Sequence, residues 1–154
     1  MQTAELENVR ILAEMSHAQL DALLKYGQIV EFSPGQTIVK QGSASDALFL
    51  VLDGKVGVYA TEEHGNEIHL RTIEKGGHFG EIGLLEGGKR TANVKALERC
   101  RLFSLDGKSF KQLLQVPDLA VPFLHGLSRS LAIRLTDMTN RVTQLWALKD
   151  MWTV

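Results

Sequence analysis

Glu81 and Arg90 stand nine positions apart in the stretch "FGEIGLLEGGKRTANV" (79–94), with Gly83, Gly87 and Gly88 between them. Glycine lets backbone N–H groups approach a ligand with no Cβ in the way. A short helical turn starting near Gly80 would aim unpaired N–H groups outward and form a small anion site. Arg90 would add a fixed cation whose planar fork suits phosphate oxygens. A carboxylate repels phosphate, so Glu81 needs a different task at such a site. Accepting a hydrogen bond from a hydroxyl beside the phosphate is one, with Arg90 balancing the charge. A ribose phosphate meets that description.

The elements that must position these residues are short strands. Eleven of the 14 glycines lie between Gly35 and Gly88, so the middle of the chain is rich in turns. "QTIVKQ", "DALFLVL", "KVGVYA", "EIHLRTIE", "TANVKA" and "CRLFSL" read as strands, and "HGN" at 64–66 reads as a hairpin turn. Seven or eight strands at this spacing indicate a sandwich, jelly roll or barrel over residues 28–105. Residues 4–26 read as helix. Within them Ser16 and Gln19 form a capping-box pattern ahead of an apolar face made by Leu20, Leu23 and Leu24. Asp106 is placed to cap a further helix. The Pro117 region then breaks the chain before a long periodic segment, in whose first turn or so Pro122 is tolerated. Leu124, Leu131, Met138 and Leu145 recur every seven residues, and Leu135 and Val142 fill the alternate positions. This narrow stripe is a coiled-coil seam; it either joins two copies of the chain or packs on the chain's own β-roll, and the heptad spacing favours the pair.

Composition narrows the function classes. The chain has 154 residues, 44% of them apolar and 23% charged, as expected of one globular domain with its own core. A formal net charge of −1 gives no general attraction for DNA or an anionic membrane. No apolar run is long enough to span a bilayer, and no secretion signal is expected at the N-terminus. Cys100 is the one cysteine, read as a strand residue in a cytoplasmic protein.

The 79–94 stretch resembles the phosphate-binding cassette of cyclic-nucleotide-binding domains. Phe79, Gly80, Glu81, Arg90, Ala92 and Val94 match the family pattern, and "SPGQTIVKQGSASDALFLVLDGKVGVYA" is similar to the family's upstream glycine and aspartate spacing. The resemblance covers roughly residues 10–145. It implies an α+β fold: a β jelly-roll barrel flanked by N-terminal helices (1–27) and C-terminal helices (106–154). It also implies that Glu81 binds the ribose 2′-hydroxyl and Arg90 the phosphate, helped by backbone groups from Gly80 through Ile82 to Gly83. Phe79, Ala92 and Arg134 complete the expected ligand-binding set with Thr91 and Thr139. Thr91 is either a strand residue or a hydroxyl that touches phosphate and guanine; Thr139 is either a solvated helix residue or a contact to the purine.

The long helix resembles the dimer helix of bacterial catabolite activator proteins. Those regulators continue into a DNA-binding domain, whereas this sequence stops at Val154. The resemblance therefore implies a non-catalytic sensor of cAMP or cGMP, either stand-alone or a fragment of a larger protein, with cAMP preferred and no cofactor or metal. It would be a homodimer that moves its C-terminal helix to signal to an unidentified effector protein, without DNA or membrane. A rival from another class is a cupin-like metal enzyme using His64, His69, His78 and Glu81, although the usual His-x-His pair is absent and His125 falls on a helix. A scaffold with a degenerate pocket is a third reading, against which Glu81 and Arg90 argue.

Overall fold

The computed structural model describes residues 2–152. Its centre is the run expected to be a buried strand, β3 (Leu48–Asp53), whose first five residues are all buried. Strand side chains alternate between faces. Leu48, Leu50 and Leu52 accordingly join a core shared with the helices, while Phe49 and Val51 join a second core between two sheets. Burial on both faces explains why this strand lacks the polar alternation of an exposed one.

The other strands are β1 (Gln28–Phe32), β2 (Thr37–Val39), β4 (Val56–Thr61), β5 (Glu67–Ile73), β6 (His78–Phe79), β7 (Asn93–Ala96) and β8 (Cys100–Leu105). They form two antiparallel four-stranded sheets, ordered β1-β8-β3-β6 and β2-β7-β4-β5. Among the described residues no strand pairing joins the sheets, so the expected β-roll is two facing sheets and not a continuously closed barrel. β4 and β5 form the hairpin expected around "HGN", with a register shift between Val58 and Tyr59.

The N-terminal segment, expected to be helical over 4–26 with a helix start at Ser16, is helical in pieces. It is divided into α1 (Gln2–Leu6), a 3₁₀ turn at Arg10–Leu12, α2 (His17–Leu23) and a second 3₁₀ turn at Leu24–Tyr26. Two local causes are visible. The Arg10 N–H donates to the Gly76 carbonyl at 3.0 Å, which takes the backbone out of a helical path. Ser16 then restarts the helix with a complete capping box on Gln19.

Asp106 caps α4 (Gly107–Leu113) as expected, accepting from the Ser109 N–H at 2.8 Å. α5 (Pro117–Trp152) starts at the proline expected to precede it, so Pro122 falls in its second turn. Pro122 has no N–H for the Asp118 carbonyl. The Gln19 amide supplies the missing donor from α2 at 2.8 Å. Leu119, Ala120, Phe123 and Leu127 bury the start of α5 in the helix-side core. The seam divides: Leu124 packs on that core, whereas Leu135, Met138, Val142 and Leu145 are at least half exposed. No helix among the described residues is long and apolar enough to cross a membrane.

Candidate functional site

β6 brings the chain alongside β3, where the Phe79 ring stacks on Phe49 with centroids 5.0 Å apart. Gly80 follows with φ +92°, a left-handed conformation that favours glycine, and turns the chain into α3 (Glu81–Glu86). Glu81 is the first residue of that helix and only 2% exposed. A buried carboxylate needs partners. Its Oε1 accepts a hydrogen bond from Arg134 Nη1 on α5, and its Oε2 lies 4.0 Å from His78 Nε2. His78 Nε2 is also 3.3 Å from the Ser130 hydroxyl on α5. Burial holds the His78 imidazole down to a pKa of about 4. Glu81 opposes that shift, while Arg134, Arg71 and Arg10 reinforce it. His78 is therefore neutral near pH 7, and α5 is tied to the cassette by an ion pair and a neutral polar contact.

Arg90 is 8% exposed and reaches back under α3. Nη1 donates to the Gly80 carbonyl at 3.2 Å; Nη2 donates to Ser45 Oγ at 3.2 Å and to the Ala47 carbonyl. Nε is buried with no hydrogen-bond partner among the described residues. Burial lowers the Arg90 pKa from its ordinary value, and Asp46 and Glu81 oppose that shift. The glycines now have a second role. A Cβ on Gly83 would stand 2.6 Å from Arg90 Nη1, so glycine makes room for the guanidinium as well as for any ligand.

A cavity of about 120 Å³ opens between α3 and the β2-β7-β4-β5 sheet. Phe79, Gly80, Glu81, Ile82, Gly83, Arg90, Thr91, Ala92 and Arg134 all line it, so nine of the expected ligand-binding residues come together. Val39, Val58 and Val94 supply apolar wall, a suitable surface for a sugar ring. Thr139 lies elsewhere, exposed on α5 with its hydroxyl donating to the Leu135 carbonyl at 2.9 Å. Arg71 and Lys89 also line the cavity and were absent from the expected set. Lys89 sits next to Arg90 in sequence, a signal that could have found it. Arg71 arrives from β5 through the irregular hairpin and carries no such local signal. The histidines of the rival reading do not converge. His64 is in the β4–β5 turn, and the His69 ring lies tilted against Tyr59 with centroids 4.9 Å apart. Among the described residues no three His, Cys, Asp or Glu side chains are grouped to hold a metal ion.

A family model described as "Cyclic nucleotide-binding domain" matches residues 29–116, more than half of the chain. The cAMP-activated global transcriptional regulator CRP of Pasteurella multocida is 34% identical over 128 residues, which cover 82% of this chain and 59% of that protein. A cGMP-dependent protein kinase of Plasmodium berghei is 37% identical over 93 residues, 60% of this chain and 10% of the kinase. The crystal structure of Thermus thermophilus Catabolite Activator Protein superposes with a TM-score of 0.79 at 30% identity, covering 88% of this chain and 62% of that one. This chain thus spans about three-fifths of the length of the regulators it matches.

Proposed function

Because this chain belongs to the cyclic nucleotide-binding domain family, we propose that it is a non-catalytic cytoplasmic sensor of a cyclic mononucleotide, with cAMP preferred over cGMP. The observation that carries the reading is the buried pair across one cavity: Glu81 at 2% exposure and Arg90 at 8%, with the start of α3 between them. In this reading Glu81 accepts the ribose 2′-hydroxyl. Arg90 and the N–H groups of Gly80 to Gly83 hold the phosphate, with Thr91 beside it. The similarity to a cAMP-activated regulator supports the preference for cAMP, and the similarity to a cGMP-dependent kinase names the competitor.

The signal runs from the cassette to α5. Glu81 holds Arg134, so a ligand hydroxyl that claims the carboxylate must share it with α5 or displace that contact. Ligand contacts that differ between two helix positions shift the population toward one of them. The exposed half of the seam, Leu135 to Leu145, supports a homodimer through α5, and an effector protein would receive the movement. Thr139 would reach a purine only by way of that dimer or a shift of the helix.

Calorimetry with cAMP, cGMP and 2′-deoxy-cAMP tests the reading. We expect saturable binding of cAMP, weaker binding of cGMP, and a loss for the 2′-deoxy analogue that Glu81→Gln largely removes. Equal affinity for cAMP and its 2′-deoxy analogue would take the ribose role from Glu81.

A further inference from the structure

A larger cleft of about 850 Å³ runs along α5, bounded by the Arg10–Leu12 turn on one side and β5 on the other. Arg10, Arg71, Arg129, Arg134 and Arg141 line it, against two acidic residues, Glu14 and Asp137. This concentration of positive charge contrasts with a chain whose formal net charge is −1. Glu14 is already engaged by His125 at 2.7 Å, and Arg134 by Glu81. The guanidinium groups of Arg10, Arg71, Arg129 and Arg141 make no hydrogen bond or ion pair among the described residues. Partial burial holds the Arg71 pKa below its ordinary value and the nearby Arg134 charge adds to that effect, while Glu81 opposes it. Like charges gathered on the walls of one cleft repel one another and raise a positive potential that draws in anions. Guanidinium forks favour phosphate oxygens.

We propose that this cleft is a second anion site, for a phosphate-bearing ligand, adjoining the cassette through the shared walls Arg71 and Arg134. Its volume lies in the range of small-molecule sites and far exceeds the cassette cavity of about 120 Å³. Two sources could supply the phosphate: the second phosphate of one dinucleotide-sized ligand spanning both cavities, or a separate phosphate anion. The inference does not require the cassette to bind a mononucleotide.

The test is calorimetry at fixed low salt on the wild type, Arg10→Ala/Arg141→Ala and Arg90→Ala, using inorganic pyrophosphate, cyclic di-GMP and cAMP as titrants. The Arg10 and Arg141 side chains make no hydrogen bond or ion pair among the described residues, so the double variant should fold, as circular dichroism would verify; Arg129→Ala serves as a second probe of the cleft. At least one of pyrophosphate and cyclic di-GMP should bind the wild type saturably and at least tenfold more weakly to the cleft variants, the loss expected for a charge-assisted contact. Pyrophosphate binding should be unaffected by Arg90→Ala. Cyclic di-GMP that binds one-to-one and excludes cAMP identifies a spanning ligand, whereas pyrophosphate that binds together with cAMP identifies a separate anion. The proposal is overturned if neither probe saturates, if both bind the cleft variants as they bind the wild type, or if pyrophosphate depends on Arg90. Failure of cAMP alone, with arginine-dependent pyrophosphate binding kept, would sink the cassette reading and leave the cleft standing.

Discussion

Acid should destabilise this protein through His78 before the carboxylates titrate. The folded protein keeps this imidazole neutral down to a pKa of about 4 because it is buried beneath the cassette. The unfolded chain takes up the proton near the ordinary value of about 6.5. The folded-state pKa is the lower one, so the stabilising contribution is complete above about pH 6.5 and is lost as pH falls toward 4. Linkage puts the loss at about 2 kcal/mol by pH 5 and about 3 kcal/mol by pH 4. For a chain of this size 2 kcal/mol corresponds to roughly 4–8 °C in Tm. Urea unfolding at pH 7, 6 and 5, compared between the wild type and His78→Gln, isolates the effect because the other titrating groups are common to both. The wild type should lose about 2 kcal/mol more than the variant between pH 7 and 5. Curves that run parallel within about 0.5 kcal/mol would refute the buried neutral imidazole, as would an NMR titration of His78 with a midpoint near 6.5.

Three further outcomes follow from the same geometry. Arg90→Ala should weaken cyclic nucleotide binding by about 10- to 150-fold, and it should also lower Tm because the Ala47 carbonyl loses the Arg90 donor and the Gly80 carbonyl keeps only the Leu84 N–H; an unchanged dissociation constant by calorimetry removes Arg90 from the site. Arg134→Ala strips the partner from a carboxylate only 2% exposed, at a cost of about 1–3 kcal/mol because water can reach the half-buried arginine position. A double-mutant cycle with Glu81→Gln should then give a coupling above about 0.5 kcal/mol, and a smaller value would show that the ion pair is not structural. Leu135→Glu with Val142→Glu would place four like charges at a two-fold seam, so a dimeric wild type should become monomeric by light scattering; a wild type already monomeric at micromolar concentration disproves the seam.

The cassette was legible because its parts are local. Gly80, Glu81 and Arg90 belong to one loop–helix–loop unit, where a left-handed glycine and a first-turn carboxylate carry sequence signatures of their own. Glu81's partner was harder to read. The resemblance named Arg134 but not the ion pair, because the approach of α5 depends on how Leu119, Phe123 and Leu127 seat it. Arg71 was missed since the register shift at Val58/Tyr59 moves β5 against β4, and alternation along one strand cannot report a shift between two. The breaks within the N-terminal helical segment were hard to read for a related reason. Helical periodicity over 4–26 is interrupted by the bond from Arg10 to Gly76, a residue far away in sequence. Where local preference and tertiary contact agree, as at the Ser16 capping box and the Asp106 cap, the boundaries stood as read.

The close seat of Gly126 has a mechanical consequence. A Cβ there would come within 1.8 Å of the Ile11 carbonyl, so α5 lies directly against the Arg10–Leu12 turn at this point. Up to Leu127 the helix is clamped in the core; beyond it most side chains face outward. The arm from Ser128 to Trp152 is about 37 Å long, and Ser130 and Arg134 couple its first turns to the cassette. A tilt of about 10° at the clamp would sweep its tip by about 6 Å over that length. Such an arm works as a displacement amplifier whose fulcrum is a single glycine. Gly126→Ala would wedge that fulcrum open and reset the arm's resting angle, and with it the reach of Arg134 into the cassette, although Gly126 itself does not line that cavity.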